Sequence, residues 1–254
     1  MFSAAYFSET KVMSRGIVVL LGPPGAGKGT QAKHLFAEFN MPQISTGELL
    51  RSHMARHTVL GAKARRCADG GLLVADDLVC GIVEERLAEQ DCGRGAVLDG
   101  FPRTVCQAEW LNRYLYSQDS VKSFSRQIPF IVIKINMQEN ELFRRLTGRR
   151  VCPSCGRAYN VFSGSVGKPN VCEFDGVDLI CRQDDAHDII YDRIKIYEQE
   201  TLPVAQYYRD KGLLREIEGS RSSDAVFSEI VQILEEVHPT HRKQLHYQAL
   251  VRSY

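Results

Sequence analysis

A glycine-rich turn between a short apolar strand and a helix constrains this chain more than any other feature. Residues 16–21, GIVVLL, are aliphatic, and the run stops at Gly22. A strand that is apolar on both faces is typical of a buried parallel sheet. The turn GPPGAGKGT follows at 22–30, and apolar residues at helical spacing continue through QAKHLFAEF. A strand, a glycine turn and a helix in this order predict the start of an α/β fold.

The turn matches the phosphate-binding pattern G-x-x-x-x-G-K, with Gly29 where most such loops place Ser or Thr, and Thr30 one step later. Glycines let successive backbone N–H groups approach phosphate oxygens, and the helix N-terminus adds its dipole. Lys28 supplies a point charge that suits a phosphoryl group. The dinucleotide pattern G-x-G-x-x-G is missing from the turn, which disfavours an NAD enzyme. We therefore expect a nucleotide phosphate site, and a glycine turn without a nucleotide is the alternative.

The rest of the chain alternates between strands and helices. Apolar strands are predicted at 95–100 and 129–136, and a last strand at 213–218. Helices are predicted from Asp76, around Pro203 as one long helix or a pair, and at 223–237. Such alternation predicts a parallel sheet core with helices on both faces.

Two segments interrupt this alternation, and both ends of the chain differ from the core. Residues 45–74 predict helices joined by glycines, whereas 148–185 are rich in turns and predict a small β-rich unit. The core then comprises residues 16–44, 75–147 and 186–238. We expect a disordered leader at 1–15 and a solvated, basic tail at 239–254.

Composition excludes several classes of protein. Of 254 residues, 44% are apolar and 25% are charged, which suffices for a sizeable core and argues against intrinsic disorder. The net charge of +1 argues against a surface that is basic throughout, as in a dedicated nucleic-acid binder. No apolar run reaches the roughly 18 residues of a membrane span. We expect a soluble, cytoplasmic monomer without nucleic-acid or membrane partners, and the weak leader leaves a mitochondrial location as the alternative.

Several arginines occupy positions that suit a phosphate ligand, although a single arginine is usually a solvated surface charge. Arg103 directly follows a strand, where ligands of open parallel sheets bind. Arg145 and Arg149 lie four residues apart, and we expect them to share a helix face and grip one ligand together. Asp99 closes a strand, where a carboxylate can order water around Mg²⁺. The remaining candidates are Arg51, Arg182 and Arg193.

The eight cysteines fall into two groups. Four isolated ones are expected to be buried small side chains: Cys67, Cys80, Cys92 and Cys106. Four more crowd into thirty residues: Cys152, Cys155, Cys172 and Cys181. Without a signal peptide, such clustering indicates a metal rather than disulfides. The spacing C-x2-C-x16-C-x2-D, which ends at Asp175, can surround one tetrahedral ion, and cysteines that merely pack together are the alternative.

Taken together, these motifs resemble the adenylate kinases of the long-lid type. The segments that carry the resemblance, in the order of that family, are GPPGAGKGTQA, PQISTGELLR, VLDGFPRT, QA at 107–108, GRRVCPSCGRAY and RQDD. The resemblance covers residues 16–235, and Glu48 departs from the aspartate that is usual in the family. The resemblance implies a five-stranded P-loop core, a nucleoside-monophosphate-binding (NMP) insertion at 45–74 and a lid at 148–185.

The resemblance also implies roles for individual residues. ATP would contact Gly25, Ala26, Gly27, Lys28, Gly29, Thr30, Arg145, Arg149, Ala158, Tyr159 and the backbone near Arg221. AMP would contact Thr46, Arg51, Leu72, Leu73, Val74, Gly100, Phe101, Pro102, Arg103, Gln107, Arg182 and Arg193. Lys28, Arg103, Arg149, Arg182 and Arg193 would be catalytic, and Asp99 would hold Mg²⁺ through water. Cys152, Cys155, Cys172 and Asp175 would bind a structural zinc, with Cys181 as a rival fourth ligand.

The implied activity is reversible phosphoryl transfer from Mg-ATP to AMP, which maintains the balance of adenine nucleotides. A GTP:AMP phosphotransferase remains an alternative, because the donor base is held largely by backbone groups. A non-catalytic nucleotide switch would need a guanine-binding N-K-x-D segment, which the chain lacks. A zinc-ribbon nucleic-acid module would need aromatic stacking residues beside the cysteines.

Overall fold

The computed structural model describes residues 16–69, 74–116, 129–162 and 170–237, so the predicted leader and tail lie outside the described residues. The strands are β1 (Gly16–Leu21), β2 (Gln43–Ser45), β3 (Gly95–Asp99), β4 (Phe130–Asn136), β5 (Arg149–Val151), β6 (Ala158–Asn160) and β7 (Leu214–Glu218). Five of them form a parallel sheet in the order β2-β3-β1-β4-β7, and β5 pairs with β6 in an antiparallel ribbon. The predicted fold class is confirmed.

The described helices account for most of the remaining core. They are α1 (Lys28–Phe39), α2 (Thr46–Ala55), α3 (Val59–Asp69), α4 (Asp76–Leu87), α5 (Val105–Tyr116), α6 (Glu139–Thr147), α7 (His187–Ile196), α8 (Leu202–Asp210) and α9 (Ser223–Val237). A π-helical turn, Tyr197–Thr201, joins α7 to α8. Pro203 therefore occupies the first turn of α8, directly after the π-helical turn, a position at which proline is tolerated.

Both faces of the sheet are buried, which explains the continuous apolar strands. Alternate residues of β1 point to opposite sides, because side chains in a strand alternate between its faces. Ile17 and Val19 pack with residues of α4, α5 and α8. Val18 and Leu20 pack with residues of α1, α7 and α9 on the other side.

The described part of the segment between β2 and α4 forms the helices α2 and α3, as predicted. The segment around the clustered cysteines contains β5, β6 and two isolated antiparallel bridges, 151 with 180 and 171 with 178. Its small core consists of Cys152, Cys172 and Leu179. Among the described helices, none is long and apolar enough to cross a membrane.

Two predictions about side-chain placement are wrong. Arg145 and Arg149 do not share a helix face, because α6 ends at Thr147 and Arg149 begins β5. Gly148 ends the helix where the chain passes close by, since a Cβ there would lie 2.4 Å from Phe162 Cδ2. Of the four isolated cysteines, only Cys80 and Cys92 are buried, whereas Cys67 is half-buried and Cys106 is exposed.

Candidate functional site

The phosphate-binding turn lies between β1 and α1, at the carboxyl edge of the sheet. Gly22, Gly25 and Gly27 have φ values of 147°, 86° and 99°, which favour glycine. A Cβ at Gly22 would lie 2.7 Å from the carbonyl oxygen of Ile135 on β4. Glycine is therefore required both by the backbone conformation and by the close packing of the turn on the neighbouring strand.

Lys28 folds back across this turn. Its ammonium donates to the carbonyl oxygens of Gly22 at 2.8 Å and Pro23 at 2.9 Å. Burial lowers the pKa of Lys28 to about 8, the nearby Asp99 carboxylate opposes that shift, and neighbouring arginines add to it. The ammonium thus lies in a site with too little negative charge of its own, which an anionic ligand would supply.

Asp99 ends β3 beside the first turn of α1. Its Oδ2 accepts a hydrogen bond from Gln43 Nε2 at 2.9 Å, and a Cβ at Gly29 would lie 3.2 Å from the same oxygen. The small residue at 29 therefore leaves room for the carboxylate, while Thr30 is exposed. Sequence reasoning missed Gln43 because β2 is only three residues long and lacks a recognisable pattern.

On the β2–β3 side of the turn, two residues that are predicted to bind AMP donate hydrogen bonds to the same carbonyl group. Thr46 Oγ1 and Arg103 Nε both donate to the carbonyl oxygen of Gly100, at 2.8 and 2.9 Å. Thr46 and Phe101 are buried, and the Phe101–Pro102 peptide bond is cis. Because these groups lie at the carboxyl ends of β2 and β3, the start of α2 is attached directly to the strand edge.

Gln107 is buried, and both the oxygen and the nitrogen of its amide make hydrogen bonds. Its Oε1 accepts from the backbone N–H of Arg103 at 2.7 Å, and its Nε2 donates to Asp76 Oδ1 at 2.6 Å. Thr104 Oγ1 donates to the other oxygen of Asp76 at 2.8 Å. One N–H and one lone pair of the amide remain for a ligand. Sequence reasoning assigned Asp76 only to a helix start and missed this contact.

Of the other residues that are predicted to contact AMP, Leu72 and Leu73 lie outside the described residues. Val74 is half-buried and packs against the core between the sheet and α4. Its position next to the start of α4 places it near Asp76 in sequence, so it borders the same region as Gln107.

A cluster of charged side chains joins α2 and β5 to α7. Arg149 pairs through two nitrogens with Asp185, and one of these contacts, Nε to Oδ2, measures 2.6 Å. Arg193 Nη1 donates to the Asp184 carbonyl oxygen at 2.7 Å and to Asp185 Oδ1 at 3.2 Å. Arg51 Nη1 lies 4.0 Å from Asp184 Oδ2. Residues of α2, β5 and α7 therefore meet at the short turn Gln183–Asp185.

The charges in this cluster do not balance locally. Although burial opposes ionisation, the surrounding arginines hold the pKa of Asp184 below its usual range. Burial and neighbouring guanidinium groups lower the pKa values of Arg103, Arg182 and Arg193. Mutual repulsion of this kind is relieved when an anion enters, so the arrangement suits a polyphosphate.

On the β4–β7 side, Arg145 connects the phosphate turn to the loop after β7. Its Nη2 donates to the Gly219 carbonyl oxygen at 3.1 Å, and its Nε to Glu141 Oε1 at 3.0 Å.

Arg221 is partly exposed and paired with Glu229. Ala158 is exposed, and the Tyr159 hydroxyl lies 3.2 Å from Cys172 Sγ. The roles of these residues towards ATP remain predictions.

The cysteine cluster has the geometry of a metal site. The ligand atoms of Cys152, Cys155, Cys172 and Asp175 all lie within 4.8 Å of one another. Cys155 Sγ and Cys172 Sγ are 3.6 Å apart, close to the roughly 3.8 Å expected for two sulfurs on one tetrahedral zinc. The four residues therefore fit a zinc ion, and Cys181 is exposed outside this group.

Two equivalent turns build the cluster, and they explain why an aspartate belongs to it. In each turn the first cysteine accepts a backbone hydrogen bond from a glycine, Gly156 or Gly176, whose φ is 70° or 71°. Asp175 holds the position in the second turn that Cys155 holds in the first. Asp175 thus reaches the cluster through the same backbone geometry as its cysteine counterpart.

Comparisons with known proteins agree on one family. A family model described as adenylate kinase matches residues 20–213. The chain is 45% identical over 218 residues to an adenylate kinase of Pelobacter propionicus, covering 86% of this chain and 96% of the relative. It is 42% identical over 220 residues to that of Archaeoglobus fulgidus, covering 87% and 98%, and 39% identical over 220 residues to that of Clostridium acetobutylicum, covering 87% and 99%.

Proposed function

The chain belongs to the adenylate kinase family, and from that premise we propose that it converts Mg-ATP and AMP into two ADP, and so maintains the balance of adenine nucleotides. The observation that carries the proposal is the group of cations around the phosphate turn. Burial lowers the pKa values of Lys28, Arg103 and Arg193, and neighbouring arginines lower each of them further. Such a site binds many phosphate oxygens at once, as transfer between two nucleotides requires.

The donor is assigned to the phosphate turn and the β4–β7 side of the sheet. Residues 25–30 would surround the phosphates, and Arg145 would contact the base together with Ala158, Tyr159 and the backbone near Arg221. Two contacts support this assignment: Arg145 bonds to the loop after β7, and a Cβ at Gly27 would lie 3.9 Å from Arg145 Nη1.

The acceptor is assigned to the β2–β3 side. Thr46, Arg51, residues 72–74, residues 100–103 and Gln107 would surround AMP. The convergence of Thr46 and Arg103 on Gly100 supports this assignment, as does the free half of the Gln107 amide. Adenine presents a neighbouring donor and acceptor, which an amide can pair with.

The reaction needs positioning and charge rather than a strong base. An oxygen of the AMP phosphate attacks the γ-phosphorus of ATP, the bond to the β,γ-bridging oxygen breaks, and ADP leaves on each side. Lys28, Arg103, Arg149, Arg182 and Arg193 would stabilise the charge on the transferring group. Mg²⁺, when bound, neutralises phosphate charge, and Asp99 would hold it through water.

We assign a structural zinc to Cys152, Cys155, Cys172 and Asp175. Four protein ligands leave no position for a reacting water, so the ion would brace the lid rather than take part in catalysis. We further assign residues 16–44, 75–147 and 186–238 to the core, residues 45–74 to the NMP insertion and residues 148–185 to the lid. Closure of both insertions over the core would exclude water from the phosphates.

The protein would act as a monomer in the cytoplasm, without nucleic-acid or membrane partners. The thiol ligands support a reducing compartment, because zinc binds thiolates and not disulfides. Static light scattering should give a mass near 28.6 kDa for the isolated chain.

The test of the function is formation of ADP from ATP, Mg²⁺ and AMP, followed as initial rates with one nucleotide varied at a fixed concentration of the other. We expect transfer with AMP and little with CMP, and a higher kcat/KM with ATP than with GTP at fixed AMP. Equal rates with AMP and CMP would contradict the acceptor assignment, and a preference for GTP would make the protein a GTP:AMP phosphotransferase.

A further inference from the structure

One buried side chain near the phosphate turn has a contact that the reaction described above does not use. Gln31, in the first turn of α1, is 3% exposed. Its Nε2 donates to the carbonyl oxygen of Ser223 at 3.0 Å and lies 3.3 Å from Ser223 Oγ. Its Oε1 is buried and has no hydrogen-bond partner among the described residues.

This orientation of the amide is required by the contact. Exchanging the amide nitrogen and oxygen would place two carbonyl oxygens against each other, so the nitrogen must face Ser223. An apolar residue of similar volume would fill the same space without burying an unpaired oxygen, which costs free energy. Packing alone therefore does not explain why this position holds a glutamine.

The contact holds a loop at the donor side of the site. Residues 219–222 connect β7 to α9, and Ser223 begins α9. The backbone N–H of Gly219 donates to the Asn136 carbonyl oxygen at 2.8 Å, and its own carbonyl oxygen accepts from Arg145. Gln31 holds the other end of this loop. Arg145 and Gln31 thus secure the loop from α6 and from α1.

Sheet order indicates what this loop faces. The phosphate turn follows β1, the central strand, and the acceptor groups follow β2 and β3 on one side. The nucleoside of the donor must then extend to the other side, over the carboxyl ends of β4 and β7, where the loop at 219–222 lies.

We propose that Gln31 is a positioning residue for the donor nucleotide: by tying the start of α9 to α1, it fixes the loop at 219–222 relative to the phosphate turn. Ser223 Oγ, 3.2 Å from His34 Nε2, adds a second contact between the same helices. This inference rests on the proposed function, because it takes the nucleotide bound at the turn to be the phosphoryl donor.

The chain contains a matched control. Asn112, on α5 at the opposite face of the sheet, also donates its amide across a helix contact, to Tyr207 Oη at 2.7 Å. Its Oδ1 is likewise buried without a partner among the described residues. Gln31→Met therefore removes the hydrogen bonds of the amide to Ser223, and Asn112→Leu removes the one to Tyr207. Both changes keep a similar volume, but only Gln31 lies near the donor site.

The experiment measures KM for ATP and for AMP in both variants, with melting temperatures. We expect Gln31→Met to raise KM for ATP about fivefold, in the range expected when a hydrogen-bonded contact is lost, with KM for AMP unchanged within twofold. Asn112→Leu should lower the melting temperature to a similar degree and move neither KM. Ser223→Ala, which keeps the carbonyl acceptor, should raise KM for ATP by less than Gln31→Met.

An unchanged KM for ATP in Gln31→Met, or an equal rise for both nucleotides, would overturn the inference and leave the proposed function intact. If Gln31→Met does not fold, Ser223→Ala decides by the same split between ATP and AMP. An unaltered enzyme that makes no ADP from ATP and AMP would overturn both the inference and the proposed function.

Discussion

The amide of Gln107 uses one lone pair and one N–H within the protein, to accept from the Arg103 backbone and to donate to Asp76. Its second lone pair and second N–H are the half available to adenine. Replacing Gln107 by leucine removes the half available to adenine and leaves Asp76 without one of its donors. A buried group left unpaired costs about 1–3 kcal/mol, so Gln107→Leu should raise KM for AMP tenfold or more. Steady-state kinetics with each nucleotide varied in turn would check this. KM for ATP should change little, and a parallel loss for both nucleotides would contradict an acceptor role.

At Arg149, a positive charge without the shape of the guanidinium group is insufficient for the proposed catalytic role. Its guanidinium pairs with Asp185 through two nitrogens, which the single ammonium of lysine cannot reproduce. Arg149→Lys should therefore lower kcat far more than it lowers the melting temperature, because comparable arginine contacts in phosphoryl transfer are worth about 10³ or more. Arg150→Lys is the control, since the side-chain hydrogen bonds of Arg150 within the described part of the chain go to the backbone carbonyls of Thr147 and Arg149. Turnover of Arg149→Lys within about twofold of the unaltered enzyme would show that the role is wrong.

Burial lowers the pKa of Lys28 to about 8, so most of the population is neutral above that pH in the free enzyme. Bound phosphates favour the charged form. Binding of ATP near pH 8.5 should therefore take up protons, measurable by calorimetry in buffers of different ionisation enthalpy. Lys28→Met should abolish the uptake, whereas the surface change Lys33→Met should not. Equal heats in all buffers would contradict the prediction.

The same shift has a consequence for stability, and its sign follows from linkage. The folded pKa of Lys28 lies below the ordinary value of 10.5. Between about pH 8 and pH 10.5 the unfolded chain therefore binds more protons at this residue than the folded one. Its contribution to the free energy of unfolding rises with pH across that window, because the cost of burying the charged ammonium is removed as it deprotonates.

At the scale of elements, the paired turns of the lid depend on each other. The described lid core has only Cys152, Cys172 and Leu179 fully buried, too little apolar surface to be stable without additional bonds. A metal that joins the two turns would supply those bonds. The ribbon is also attached to α6: Asn160 Nδ2 donates to the Arg145 carbonyl oxygen at 2.8 Å, and Arg150 Nη1 donates to the Thr147 carbonyl oxygen at 3.0 Å.

The zinc prediction follows from this dependence. One zinc should be found per chain, and Asp175→Ala should lose it, whereas Cys181→Ser should keep it because Cys181 lies outside the cluster. A strong chelator should lower the melting temperature while activity persists at low temperature, since the ion does not take part in the reaction. Elemental analysis of each variant, with calorimetric scans, measures both effects. A protein purified without chelator that contains no zinc would contradict the assignment, and retention by Asp175→Ala with loss by Cys181→Ser would move the fourth ligand to Cys181.

At the scale of the whole molecule, a net charge of only +1 conceals a strong local asymmetry. Lys28, Arg103 and the arginines around Asp184 gather at one edge of the sheet. Attraction of nucleotides to this edge should weaken with salt, because screening shortens from about 10 Å at 0.1 M to about 3 Å at 1 M. Raising KCl across that range should increase KM for both nucleotides while the melting temperature changes little. Constant KM values would show that long-range attraction contributes nothing to binding.

Much of this architecture follows from local patterns. The apolar runs predict three of the five core strands, at 16–21, 95–100 and 129–136, because strands buried on both faces lack polar residues. Periodicity predicts α9 over 223–237 without error. β2 was not predicted, because its three residues are a strand only through pairing with β3. The expected shared helix face of Arg145 and Arg149 failed for a related reason: Arg149 pairs with Asn160 in the β5–β6 ribbon, and that pairing takes it out of the helix.

The sequence by itself determined the family, the phosphate turn and the cysteine spacing, because each of these is a contiguous motif whose backbone conformation is local. Tertiary structure alone decided which side chains share a partner. Gln107 meets Asp76 across 31 residues, Arg149 meets Asp185 across 36, and Gln31 meets Ser223 across 192. No local pattern encodes such pairs, since they arise only when parallel strands bring their carboxyl ends to one edge and the segments that follow them converge there.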